Sequence, residues 1–432
     1  MHVRYPVGLA TVPAPGAGTF ALLFAVESLA RSLLATVISL QALALLGDAR
    51  DVSLLFTTVG VMGLVASLFL PRLVDLVGRR WVFTGGCLAL VAAAAAFASL
   101  SLSGQAAGMW LRVLGAAALS ITSSLYILQY IRRHDLTRSE PMRLQASAAA
   151  WTLGPAAGVW IYHHAGPGWT YGLSAITAFA LLACFWVLRL SDAGPIVAAD
   201  TRPPDPVRNV RRFFAQARLR LAWTIALGRS SWWVFFFIYA PIYMVQSGHP
   251  ALAGALLVSA GNAMLFVTPL FGRLALAYGI RRVLRVAFLA CGLATALCTL
   301  VYDTPVLVAG LLLVAALSCV ALDALGNIPF LRSVKVYERA RMTSVFRTYI
   351  DVSELAVPAA FALLLSFFDL RSLFLAAGAA MLLFAHVCGY LPGRMGARVQ
   401  RPARVPPLAA VAAPPVAPGV PSAAADDPEP VR

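Results

Sequence analysis

The chain has 432 residues, of which 60% are apolar and only 12% charged, and its mean hydropathy is +0.80. A soluble domain is about half apolar, so this composition excludes one and indicates an integral membrane protein. The formal net charge of +16 does not point to nucleic acid, because the arginines fall mainly in alternate loops between apolar stretches, which is how a membrane topology distributes them.

Twelve apolar stretches are each long enough to cross a hydrocarbon core about 30 Å thick as a helix that satisfies its own backbone hydrogen bonds. They cover residues 18–46, 51–70, 81–102, 106–130, 144–162, 169–188, 221–245, 251–270, 283–301, 305–330, 342–367 and 373–391, and are called spans 1 to 12 below. Span 1 is too long for a cleavable signal core and contains Glu27 and Arg31, so it is expected to stay as a helix. Arg72, Arg79 and Arg80, then Arg132, Arg133 and Arg138, then Arg208 to Arg220, then Arg281, Arg282 and Arg285, then Arg332 and Lys335 occupy every second connection. The positive-inside rule then predicts a multi-pass protein of the cell inner (cytoplasmic) membrane with both termini cytoplasmic. Residues 1–190 and 221–392 read as two bundles of six helices, joined by a Pro/Arg-rich cytoplasmic linker at 191–220. The Pro/Ala-rich stretch 393–432 cannot bury a core and is expected to be a disordered cytoplasmic tail. Cys87, Cys184, Cys291, Cys298, Cys319 and Cys388 all fall inside apolar spans with no metal-ligand spacing, so they are read as packing residues, without a disulfide framework or a metal site.

Between spans 2 and 3, residues Pro71 to Arg80 read P-R-L-V-D-L-V-G-R-R. The run resembles the signature loop of the major facilitator superfamily, usually written G-x-L-a-D-r-x-G-r-r. It matches at Leu73, Asp75, Gly78, Arg79 and Arg80 and departs at Pro71 and Leu76. A weaker echo follows, where Gly272-Arg273-Leu274 precedes Gly279, Arg281 and Arg282, with Gly279 lying 201 residues after Gly78. In span 5, Gly154-Pro155-Ala156-Ala157-Gly158 resembles the G-P-x-x-G-G element of antiporter members, with Val159 at the last glycine. Val357-Pro358-Ala359-Ala360 in span 11 repeats the proline 203 residues later. Two nearly equal offsets indicate an internal duplication. The resemblance implies an all-α integral membrane fold of 12 transmembrane helices in two pseudo-symmetric six-helix bundles. It also implies that spans 1, 4, 7 and 10 line a central cavity, and that the loop motif acts as a conformational switch. Small residues also let helices approach closely and proline permits a bend, so a plain packing role for Gly154, Pro155 and Gly158 stands beside an antiport-specific one.

Charge inside a bilayer is expensive, about 2.5 to 3.5 kcal/mol per residue on the insertion scale, so its placement is informative. Span 1 carries Glu27 and Arg31, span 4 Arg112, span 7 Arg229, span 10 Asp323, and span 11 Arg347, Asp351 and Glu354. Four of these five spans are those the resemblance places around the cavity. Glu27, Asp323, Asp351 and Glu354 are the candidates for carrying protons. Arg31, Arg112, Arg229, Trp232, Trp233, Phe236, Asn327 and Arg347 are the candidates for lining the substrate cavity. On span 7, Arg229, Trp233 and Phe236 share a helical face with Trp232 alongside and Tyr239 and Tyr243 beyond. The plainer alternative is that Glu27 with Arg31, and Arg347 with Asp351, are intrahelical pairs that neutralise each other. Arg229 and Asp323 have no opposite charge on their own helices, and must pair elsewhere or face water.

No phosphate-binding loop, zinc signature or nucleophile with a matched base is apparent, so an enzyme or an ATP-driven pump has no positive support and no cofactor is expected. The sequence is read as a monomeric, proton-coupled secondary transporter exporting small organic compounds, with substrate, protons and the bilayer as its partners. Two rivals stay open. One is an organic-anion importer or exchanger using Arg31 and Arg229, 198 residues apart; the other is a transporter-shaped sensor that no longer transports.

Overall fold

The computed structural model describes residues 17–130, 136–188, 206–334 and 339–392. Arg132, Arg133, Lys335, residues 191–205 of the predicted linker and the predicted tail 393–432 lie outside the described residues, as do the side chains of Arg138 and Arg208.

Span 1 is broken in two, α1 (Ala17–Ser32) and α2 (Ala35–Leu46), and α3 (Ala49–Val77), α4 (Arg79–Ala98), α5 (Leu102–Tyr130), α6 (Leu136–His164) and α7 (Pro167–Val187) complete the first half. A short helix, α8 (Pro206–Ala215), forms inside the predicted linker and leads into α9 (Ala217–Gln246), which begins before the expected start of span 7. Span 8 is α10 (Ala251–Ala263) and α11 (Thr268–Tyr278), joined by a 3-10 turn over Met264–Val267. Next come α12 (Ile280–Leu297), α13 (Pro305–Leu325), α14 (Ile328–Ser333), α15 (Arg339–Leu365) and α16 (Arg371–Val387).

Among the described residues ten helical stretches are long and apolar enough to cross a membrane, against the twelve expected. The remaining two predicted spans are the helices α6 and α12, and composition is what separates them: α12 opens with Ile280-Arg281-Arg282-Val283-Leu284-Arg285, and α6 ends in His163 and His164. Both nonetheless pack within the bundle, α6 against α1 and α10, and α12 against α13 and α16.

Gly78 ends α3 and starts α4 at φ 93° and ψ 148°, and Gly279 does the same between α11 and α12 at φ 86° and ψ 145°. That region of backbone space is open essentially to glycine alone. Two helix junctions 201 residues apart thus share one backbone conformation, and the repeated glycine was the visible trace of it.

Among the described residues the two halves meet chiefly along α3 with α15, α6 with α10, and α2 with α9, with a lesser contact of α2 with α10. Gly60 sets the first approach, since a Cβ there would lie 2.6 Å from Leu355 Cα. The apolar clusters cross between the halves at the end away from the loop motif. Ala42, Leu43, Ala49 and Val52 join Ile238, Ile242 and their neighbours there, and Ala255 joins Leu34, Val37 and Ile38. At the same end Ser53 Oγ and Tyr239 Oη form a 2.7 Å hydrogen bond from α3 to α9. The clusters nearer the loop motif each stay within one half.

Candidate functional site

The break in span 1 is where α6 comes closest. A Cβ at Gly154 would run into Ser32, and one at Gly158 into the carbonyl of Leu33. Ser32 Oγ donates to the Ala150 carbonyl at 2.9 Å, and the Ala156 N–H donates to Ser259 Oγ of α10 at 3.1 Å. Gly154, the buried Pro155 and Gly158 therefore hold the α1–α2 elbow and the second half together at one crossing. The second half repeats the contact in altered form, with Ser230 Oγ 2.6 Å from Ser353 Oγ. The repeat was legible in sequence, because Arg31-Ser32 recurs as Arg229-Ser230.

From this crossing the charged groups of the first half extend inward. Glu27 is nearly inaccessible and pairs with Arg31 one turn on, Nη1 to Oε1 at 3.3 Å. Arg112 Nη2 donates to the Arg31 carbonyl at 3.0 Å. The Nε groups of Arg31 and Arg112 are buried and have no hydrogen-bond partner among the described residues. Opposite them α15 presents Glu354, which is exposed and lies within electrostatic range of Arg31, Arg112 and Asp351. Arg347, also exposed, reaches across to α5, its Nη2 donating to Ser120 Oγ at 3.0 Å. The predicted charges of spans 1, 4 and 11 thus gather on facing surfaces of the two halves.

Arg229 belongs to a second group. Its Nε lies 3.3 Å from Asp323 Oδ1, its Nη2 donates to Tyr349 Oη at 2.6 Å, and Trp233 Nε1 donates to the other Asp323 oxygen at 2.8 Å. The pair joins α9 to α13, and Tyr349 adds α15, a partner the sequence reading missed because tyrosine carries no charge to draw attention. Arg229 is 7% exposed, while the Asp323 side chain keeps 26% of its surface.

Two of the aromatic candidates are corrected. Trp232 and Phe236 do not line accessible space: they are 1% and 0% exposed and stack on each other inside the second half. Trp232 Nε1 donates to Thr295 Oγ1 of α12 at 3.0 Å, and Phe236 fills the space left by Gly261 of α10. The aromatic face turned toward the other half is Trp233 stacked on Phe237, whose ring lies 5.5 Å from that of Trp151 on α6. A step of four residues from Trp233 leads to Phe237, whereas the step of three taken from the sequence led into the core. Asn327 is exposed at the junction of α13 and α14.

In the loop motif, Leu73 and Asp75 are exposed in the last turn of α3, and Asp75 forms no ion pair among the described residues. The basic pair is held elsewhere: the Arg79 guanidinium lies 5.5 Å from the Tyr126 ring of α5 and that of Arg80 4.3 Å from the Trp186 ring of α7. Among the described residues no three of His, Cys, Asp and Glu come together to hold a metal ion.

A helical bundle built from two related halves, with facing charges at its centre and an apolar closure at one end, defines the class of multi-pass membrane transporters. The family model of the Major Facilitator Superfamily matches residues 20–275, and the chain belongs to that superfamily. Solved structures agree on the fold. A POT family transporter in complex with 5-aminolevulinic acid aligns with a TM-score of 0.71 at 14% identity, over 87% of this chain and 97% of that one. The peptide transporter POT in complex with sulfate gives 0.69 at 15%, covering 88% and 96%, and the nucleoside transporter NupG gives 0.68 at 13%, covering 86% and 98%. No curated protein sequence matches the chain at a significant level.

Proposed function

We propose that the protein is a proton-coupled secondary transporter that exports small organic compounds by alternating access, its moving halves being residues 1–190 and 221–392 and both termini cytoplasmic. The observation that carries the reading is Glu354 of the second half, exposed and within electrostatic range of Arg31 and Arg112 of the first. When the halves rock, that carboxyl exchanges a cationic neighbourhood for a different one, and such a change of surroundings alters proton affinity. With the loop motif on the cytoplasmic side, the apolar closure lies on the outer side and the arrangement described is the one open to the cytoplasm. Asp75, which forms no ion pair among the described residues, fits a clamp that engages only in the opposite state. The solute class follows from the facing surfaces: the exposed Arg347 and Glu354 and the Trp151, Phe237 and Trp233 rings suit an organic molecule with polar ends. Export rests on the resemblance of the Gly154–Gly158 segment to the antiporter element.

The organic-anion exchanger is disfavoured, because Arg229 is committed to Asp323 and Tyr349 and Arg31 to Glu27. The test is flux of a compound panel in proteoliposomes with and without an imposed pH gradient. Accumulation should follow the gradient and be lost in Glu354→Gln, with downhill exchange retained. Flux indifferent to the gradient would remove proton coupling, and no flux for any compound would favour the sensor.

A further inference from the structure

Away from the central charges, α11, α12 and α13 leave a groove with a volume of about 400 Å³ on the second half. Its walls are apolar, with Phe271 and Leu274 from α11, Val286 and Ala290 from α12, and Leu317 and Ala321 from α13. Arg282 is the only charged residue among its lining. The groove opens outward: Val286 and Tyr278 are each 62% exposed, and Ala321 stands two residues from Asp323, on the opposite side of α13.

The groove has a cause in the sequence. In the first half, α4 and α5 close on each other through Gly86 and Gly115, where a Cβ on Gly115 would lie 2.8 Å from the Gly86 carbonyl. The positions 201 residues later are Ala287 and Ala316, and the added methyl groups forbid that approach. The same element pair thus crosses through glycines in one half and through alanines in the other.

Charge chooses the occupant. Arg282 lies near the start of α12, at the end of the bundle that also holds Arg273, Arg281 and Arg285. The sequence has no Asp or Glu between Asp205 and Asp303, so α11 and α12 carry no acid of their own. We propose that the groove seats an anionic phospholipid, one acyl chain lying between α11, α12 and α13 and the phosphate held by Arg282. Lipid tails are as apolar as the groove walls, so burial alone gives little preference among lipids. Shape retains the chain, and the guanidinium, a good match for phosphate oxygens, selects the headgroup charge.

The full chain, purified in detergent, is offered equimolar phosphatidylglycerol and phosphatidylcholine and examined by mass spectrometry under non-denaturing conditions. One phosphatidylglycerol should be retained at least tenfold over phosphatidylcholine. Arg282→Gln should bring the two to parity, and Val286→Trp, which fills the groove from an exposed position, should remove both. Parity in the wild type, or a preference unchanged in Arg282→Gln, would overturn the proposal. If Val286→Trp does not fold, Arg282→Gln decides alone. Inorganic phosphate should fail to displace the lipid; displacement at equal concentration would mean a plain anion site and would equally overturn it. None of these readouts depends on transport, so failure here and failure of the transport reading are separable.

Discussion

Asp323→Asn is the most informative single change, because it removes the counter-charge of an arginine that is only 7% exposed while leaving the shape nearly intact. Breaking a buried ion pair by deleting one partner costs about 3–5 kcal/mol, since the other charge stays buried. Here the loss should fall lower, about 2–3 kcal/mol, for two reasons: Asp323 keeps 26% of its side-chain surface, and Tyr349 Oη still accepts from Arg229. Replacing both partners by apolar groups, Arg229→Met with Asp323→Leu, should recover at least half of that loss, because no unpaired charge remains. Thermal unfolding in detergent, followed with a thiol-reactive dye, suits the question, as Cys291, Cys298 and Cys319 are fully buried and unmodified. A wild-type midpoint for Asp323→Asn would refute the reasoning. So would a double variant whose loss is the sum of the two single losses.

Gly158→Val should abolish the crossing of α6 with the α1–α2 elbow, since even a Cβ overlaps the Leu33 carbonyl; the yield of monodisperse protein should fall several-fold. Tyr239→Phe removes the hydroxyl bonded to Ser53, costs about 1 kcal/mol of the closure and should increase labelling of a cysteine placed at the neighbouring Val52, buried in the same closure, by a membrane-impermeant thiol reagent; unchanged labelling would count against that end being the gate. Asp75→Asn should slow flux while leaving insertion and substrate affinity largely intact, and wild-type flux would remove the clamp role. Gly78→Ala should cost about 1–3 kcal/mol, read as a lowered unfolding midpoint, because φ 93° with ψ 148° suits glycine alone.

What the sequence revealed, and what it hid, divides along physical lines. Spans, their duplication and the need of Arg229 and Asp323 for partners off their own helices were legible because hydrocarbon thickness and the cost of intramembrane charge leave strong marks on composition. The breaks at Leu33, at Met264–Val267 and between α13 and α14 were not, because an apolar run looks the same whether its helix is continuous or interrupted. Trp232 and Phe236 were misassigned for a related reason. In a helix apolar on all sides, period alone cannot tell the face that meets other helices from the face that meets open space. Tyr349, Ser120 and Trp151 escaped notice because each acts through a partner more than 80 positions away.

The closure between the halves has a consequence for how the protein senses its surroundings. It is built from Leu43, Val52, Ile38, Ala255 and one hydroxyl pair, Ser53 with Tyr239. Neutral groups of this kind respond neither to ionic strength nor to the electrical potential across a membrane. A unit charge carried across that potential is worth about 2.3 kcal/mol per 100 mV. Any electrical influence on the alternating access proposed above therefore enters through charged residues such as Glu27, Arg31, Arg112, Arg229, Asp323, Arg347, Asp351 and Glu354, whereas the closure answers to heat, since opening it wets apolar surface and carries a heat-capacity change.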